Sequence, residues 1–119
     1  MRLADVQFRS DDDGVVVARI TGEIDLSNGE ELGAALMDAI SNDTLGLVVD
    51  LSEVEHLDSA GIQLIYRLRE TLRARGQTLQ LVIPGRCAAH DALRLAGASS
   101  HIQMAEAVED AIGQLHENR

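Results

Sequence analysis

The sequence is poor in aromatic residues and has a single cysteine. Phe8 and Tyr66 are the only aromatic side chains, 2% of 119 residues, and tryptophan is absent. The core must therefore be built from aliphatic side chains, and the aromatic platforms on which single-stranded nucleic acid stacks are missing. Because Cys87 stands alone, no intramolecular disulfide can form, and nothing in the sequence requires an oxidising compartment.

Basic residues are also scarce: ten stand against twenty acidic ones, which gives a formal net charge of -10. Nucleic acids and anionic membrane surfaces attract basic patches, so this charge argues against direct binding to either. No apolar run approaches the ~20 residues that a membrane-spanning helix needs. The first ten residues lack the apolar stretch of a signal peptide. We therefore expect a cytoplasmic protein that meets protein partners and does not insert into membranes.

Short aliphatic runs alternate with helical patterns along the chain. The apolar run 45–51 is predicted to be a strand buried on both faces, as in a sheet covered by helices. Residues 22–25 and 52–57 are predicted to be loops. The other predicted strands are 6–9, 15–20, 79–83 and an edge strand at 102–104. Apolar residues at helical spacing predict helices around 32–40, 60–75, 93–96 and 108–115.

This alternation is typical of α/β proteins, in which helical crossovers join parallel strands. The length favours one domain. We expect a single domain over residues 1–119, with a core from about 6 to 115. Its sheet should be mostly parallel, with four or five strands and helices packed mainly on one side.

One helix is predicted to begin at Asp58, directly after a loop that follows the buried strand. Asp58 is a good N-cap, and Ser59 would lie near the free backbone N–H groups of the first turn. The helix dipole would tolerate a phosphate on Ser59, which would add about 1.5 to 2 negative charges. Small Ala60 and Gly61 would let another chain come close. A plain helix cap is the other interpretation, and these four residues alone favour it.

Three segments together resemble the STAS domain of anti-sigma factor antagonists. They are Gly22-Glu23-Ile24-Asp25, Val48-Val49-Asp50-Leu51-Ser52 and Leu57-Asp58-Ser59-Ala60-Gly61-Ile62. The resemblance covers residues 6–115, in order and at matching spacing. It departs at Gln63, where many members have a second glycine. It departs again at Ala98, where many have a larger apolar residue, which suggests a thinner core at that corner.

The resemblance implies a phosphoprotein that regulates transcription by partner switching. In that family the serine of the motif is phosphorylated by a partner that is both a serine kinase and an anti-sigma factor. The unphosphorylated antagonist binds this partner and releases a sigma factor, and a phosphatase restores the phosphorylated form. Carried over by motif, the phosphoacceptor is Ser59, and the partner-binding residues are Asp25, Asp58, Ala60, Gly61 and Ile62. The kinase supplies ATP and Mg²⁺, so no cofactor of the chain itself is expected.

An enzyme and a constitutive scaffold are the competing function classes. His56, Asp58 and Ser59 are too close in sequence to form a nucleophile–base–orienter chain easily, and no G-x-S-x-G elbow occurs. We therefore predict no enzyme and no catalytic residue. The histidines are scattered without ligand spacing, so no metal site is predicted. The alternative is a STAS scaffold subunit of a transporter or signalling assembly, in which Ser59 is only a cap.

The helix over 60–75 carries four arginines, which form a local basic strip in an acidic chain. A solvated helix face is the favoured interpretation. Contact between part of this strip and acidic groups on a partner is the other.

Overall fold

The structure, a computed structural model, describes residues 4–11, 13–85, 87–97 and 102–117. Ala98, where the resemblance suggests a thinner core, lies outside these residues. The elements in chain order are β1 (Asp5–Ser10), β2 (Val15–Ile24), α1 (Gly29–Asp38), β3 (Gly46–Leu57), α2 (Ser59–Ala74), β4 (Thr78–Val82), α3 (Ala88–Leu95), β5 (Met104–Ala105) and α4 (Val108–Glu117). None of the described helices combines the length and apolar character that crossing a membrane demands.

The five strands form one sheet in the order β1-β2-β3-β4-β5. Only β1 runs antiparallel to its neighbour, and the remaining pairs are parallel. Helices α1, α2 and α3 cover one face with buried leucines that include Leu36, Leu72 and Leu93. Helix α4 covers the other face, where Ala111 and Leu115 pack against valines of the sheet. The predicted α/β fold, with helices mainly on one side, is confirmed.

The two central strands are longer than their sequence suggests. β2 continues to Ile24 and β3 to Leu57, so all but the last residue of the loop predicted at 22–25 is strand, as is the whole of the loop predicted at 52–57. The polar residues in the last half of β3 do not look like a buried strand, yet parallel pairing with β2 holds them extended. Gly22 has a φ of +97°, and the register shifts beside it. A glycine there permits the bulge that keeps the two strands paired to their ends.

Candidate functional site

The ends of β2 and β3 bring together two segments that are distant in sequence. Ile24 and Leu57 are register partners at the last position of the two strands. The Asp58 N–H also donates to the Ile24 carbonyl at 3.3 Å. Because the strands are parallel, Asp25 and Asp58 follow them at the same edge of the sheet. The first turns of α1 and α2 begin at this edge, which we call the carboxyl edge.

Asp58, and not Ser59, is the N-cap of α2. Its carboxylate accepts a hydrogen bond from the Gly61 N–H at 3.0 Å, and its carbonyl accepts one from the Ile62 N–H at 3.0 Å. Ser59 is the first residue of the helix and is exposed. The cap is therefore provided by the preceding residue, and the Ser59 side chain stands at the surface of the first turn.

Gly61 is buried at the point where α2 meets the sheet. A Cβ atom added to it would lie 2.4 Å from Cδ1 of Leu57 and 3.0 Å from Cγ2 of Ile24. Real Cβ atoms do not come this close, so the absence of a side chain lets the first turn of α2 rest on both strand ends. Ala60 and Ile62, on either side, are half-buried. The structure thus gives Gly61 a packing role, and direct contact of Gly61 with a partner stays a prediction.

Asp25 begins a loop that is held by its neighbours. The Asp25 N–H donates to Oδ1 of Asn28 at 3.1 Å, and Nδ2 of Asn28 donates to the Glu23 carbonyl at 2.7 Å. Both the hydroxyl and the N–H of Ser27 donate to Oδ1 of Asp25. These hydrogen bonds from Ser27, with a smaller contribution from His56, hold the pKa of Asp25 below its usual value. Asp25 is therefore an ordered carboxylate at the carboxyl edge.

Sequence reasoning missed the role of Asn28 and the exposure of Leu26. Asn28 directly precedes α1, where an asparagine is typical of a helix cap, but its side chain makes no cap bond and is 7% exposed. It holds the loop instead, and an asparagine close to a strand end is the signal that could have indicated this. Leu26 is 83% exposed.

A groove of about 520 Å³ lies between α1 and α2, and Ala60, the residue after Ser59, is part of its wall. It is lined by Asp25, Leu26, Ser27, Gly29, Glu30, Glu31, Ala60, Gln63 and Arg67. Of the predicted partner-binding residues, Asp25 and Ala60 lie in its wall. Arg67 of the predicted basic strip also lies there, whereas Arg69 and Arg73 face Glu70 on their own helix.

A second group of titratable side chains lies at the opposite edge of the sheet. Asp11 accepts hydrogen bonds from the Asp13 and Val15 N–H groups, both at 2.9 Å, as expected for a turn. His116 of α4 comes within 3.4 Å of Asp11 and 3.8 Å of Asp13. These side chains tie α4 to the β1–β2 hairpin. Within the described ranges, Asp11, Asp13 and His116 are the group of side chains close enough together to provide three ligand atoms to a metal ion.

The fold and the carboxyl edge define a small α/β domain that exposes a serine at the start of its longest described helix. A family model for the STAS domain matches residues 9–111. The chain therefore belongs to the STAS domain family, and the resemblance seen in its motifs is confirmed.

Three relatives show which proteins of this family the chain is similar to. The anti-sigma-F factor antagonist RsfB of Mycobacterium tuberculosis is 34% identical over 77 residues, which are 65% of this chain and 61% of RsfB. An anti-sigma factor antagonist from Mycobacterium paratuberculosis superposes with a TM-score of 0.81 at 25% identity, covering 96% of this chain and 95% of that one. The Bacillus cell fate determinant SpoIIAA in its phosphorylated form superposes with a TM-score of 0.68 at 21% identity, covering 93% and 99%. At that identity the last likeness shows the fold alone.

Proposed function

We propose that this chain is an anti-sigma factor antagonist controlled by phosphorylation of Ser59. In its unphosphorylated form it binds an anti-sigma factor that is also a serine kinase, and a sigma factor is released. The kinase then transfers the γ-phosphoryl group of its own ATP to Ser59, and the complex separates. A phosphatase restores the binding form. The chain acts as a binding protein and not as an enzyme. The names of RsfB and of the mycobacterial structure support the antagonist part of this proposal.

The observation that carries the proposal is the position of Ser59. It is exposed on the first turn of α2, and Asp58 already caps that turn. Because Gly61 has no side chain, the turn packs closely on the strand ends, and the hydrogen-bonded loop at Asp25 follows β2 at the same edge. A kinase needs a serine hydroxyl that protrudes from a surface it can bind, and this edge presents one on a fixed backbone.

Electrostatics and close packing explain how a phosphate would end binding. A phosphoserine carries about 1.5 to 2 negative charges. At Ser59 this charge would stand next to the carboxylate of Asp58, at the same sheet edge as the carboxylate of Asp25. It would also add bulk to a surface that a partner must approach closely. Losing one desolvated contact of this kind weakens a complex by roughly 2 to 5 kcal/mol. Because about 1.4 kcal/mol corresponds to a tenfold change in affinity, a loss in the middle of this range weakens binding by a hundredfold or more.

The direct test is phosphorylation by the serine-kinase anti-sigma factors of the source organism. Each purified kinase is incubated with the protein and ATP, and the phosphate is mapped by mass spectrometry. We expect modification of wild type and of Ser10→Ala, a control at another exposed serine, but not of Ser59→Ala. Phosphate at another residue, with Ser59 unmodified, would contradict the assignment.

The switch is tested separately by comparing the binding of Ser59→Ala and Ser59→Asp to the same kinase by calorimetry. We expect the alanine variant to bind like wild type and the aspartate variant to bind at least about a hundredfold more weakly. Equal binding by both variants would favour the constitutive scaffold.

A further inference from the structure

Leu26 is the most exposed large hydrophobic side chain among the described residues, and its surroundings give it no structural role. Its side chain is 83% exposed, in the loop that joins β2 to α1. Single exposed leucines are common on protein surfaces, so the exposure is not an argument by itself. Leu26 is distinguished by the ordered backbone that carries it and by the charges around it.

The backbone on both sides of Leu26 is tied down. The Asp25 carbonyl accepts hydrogen bonds from the N–H groups of Asn28 at 3.3 Å and Gly29 at 3.0 Å, which closes the loop. The Asn28 side chain, 7% exposed, fixes the loop to the end of β2. An apolar side chain on a loop that is already ordered loses little conformational freedom on binding. Leu26 is therefore suited to be an anchor that fills a pocket on another protein.

Leu26 shares the groove between α1 and α2 with charged residues that are mainly acidic. Asp25, Glu30 and Glu31 line it, and Arg67 is the one basic residue among the described residues of its wall. Ala60, the neighbour of Ser59, lines the same groove, so whatever covers Leu26 also lies next to the phosphoacceptor. A surface complementary to this one must offer an apolar pocket with lysine or arginine side chains at its rim.

We infer that Leu26 is the apolar anchor of the interface with the kinase, and that the kinase receives it in an apolar pocket rimmed by basic side chains. This inference rests on the proposed function, because the kinase is the partner that must reach Ser59. It adds a contact outside the phosphoacceptor motif. Since loops vary more among homologues than the elements they join, such a contact also provides a means by which related antagonists select different kinases.

The chain offers a matched control for this anchor. Leu95, the last residue of α3, is 80% exposed and does not line the groove. Leu26→Ala and Leu95→Ala remove the same atoms from equally exposed positions, so both variants should unfold at the wild-type temperature. Each purified serine-kinase anti-sigma factor of the source organism is titrated with wild type and with both variants in the presence of ADP. We expect Leu95→Ala to bind like wild type and Leu26→Ala to bind at least about tenfold more weakly.

The outcomes separate the anchor from the function on which it rests. If wild type and Leu26→Ala bind a kinase equally, the anchor is refuted and the proposed function stands. Equal weakening by both alanine variants would also refute it, because the effect would then not be specific to the groove. If wild type binds none of the kinases, the proposed function itself fails. If wild type alone forms a dimer that Leu26→Ala abolishes, the occupant is a second copy of this chain, and the assignment to the kinase is overturned.

The basic charge inferred for the rim of the kinase pocket is tested by varying the salt concentration and by one further variant. Binding should weaken as NaCl is raised from 0.05 to 0.5 M, because salt screens attraction between exposed opposite charges (the Debye length falls from about 14 to about 4 Å). Glu31→Lys, at an exposed position, should weaken binding further at low salt. Binding that is unaffected by salt and by this variant would overturn the basic rim.

Discussion

Replacing Gly61 with alanine tests whether the motif glycine is required for packing. The added Cβ would lie 2.4 Å from Cδ1 of Leu57, 3.0 Å from Cγ2 of Ile24 and 3.2 Å from the Ile24 carbonyl oxygen. Carbon atoms are normally separated by about 3.5 to 4.0 Å, so the first turn of α2 or the strand ends must move. The Leu57 side chain has little room to shift because it is buried. The Ile24 carbonyl is held in place because its residue belongs to the sheet.

The size of the effect is set by two opposing contributions. Forcing an extra methyl group into a packed site costs about 1 to 3 kcal/mol. Alanine is also a better helix former than glycine by up to about 1 kcal/mol, which partly offsets the clash. Gly113→Ala in α4 is the control that shows the helix-propensity contribution without a clash, because a Cβ there would meet nothing within 4 Å. We expect Gly113→Ala to be more stable than wild type by about 0.5 to 1 kcal/mol. Gly61→Ala should be less stable than Gly113→Ala by about 1 to 3 kcal/mol.

The free energies of unfolding are measured by urea titration, followed by circular dichroism because the chain has no tryptophan. The midpoints of the two urea transitions can be compared only if the free energy of unfolding depends equally steeply on urea concentration in both variants. If the two variants are equally stable within about 0.5 kcal/mol, the close packing of α2 on the strand ends is wrong, and Gly61 would be free for another role.

Two further predictions concern hydrogen bonds at opposite edges of the sheet. Asp58→Ala removes the acceptor for the Gly61 N–H, and urea titration should show that it is less stable than wild type by about 1 kcal/mol. Asp58→Asn keeps a side-chain acceptor and should retain most of the wild-type stability, so equal losses in both variants would contradict the cap. At the other edge, partial burial would raise the pKa of Asp11, but hydrogen bonds from Val15 and Asp13, together with His116, outweigh it and hold this pKa below its usual value. Because the folded-state pKa is depressed, Asp11 stabilises the fold above its ordinary pKa of about 3.9, and this contribution is lost as the pH falls through the lower folded value. The stability advantage of wild type over Asp11→Asn should therefore be steady near pH 5 and shrink below about pH 4, and an advantage that grows on acidification would contradict the argument.

Local patterns predicted the ends of α2 well because both ends depend on contacts between near neighbours, whereas α3, predicted only around 93–96, spans Ala88–Leu95. Asp58 was predicted as the cap of α2, and its bond to Gly61 spans only three residues. Gly76, a residue type that favours helix ends, has a φ of +74° just beyond the last turn of that helix. The length of β3 was underestimated because its second half is polar and is held by pairing with β2, a partner distant in sequence.

The sequence by itself determined the α/β class, the start of α2 at Ser59 and, through the order and spacing of its motifs, the STAS family. The α/β class and the helix start depend on hydrophobic periodicity and on capping, which act over a few residues, whereas the family follows from the resemblance of the three motifs. Only the tertiary structure decided that Asp25 and Asp58 share one edge, because their proximity follows from the register of β2 against β3. It also decided that Gly61 is buried, and that Leu26 stands exposed in the groove between α1 and α2. Whether a side chain is covered depends on which distant segments pack over it, and no local pattern contains that information.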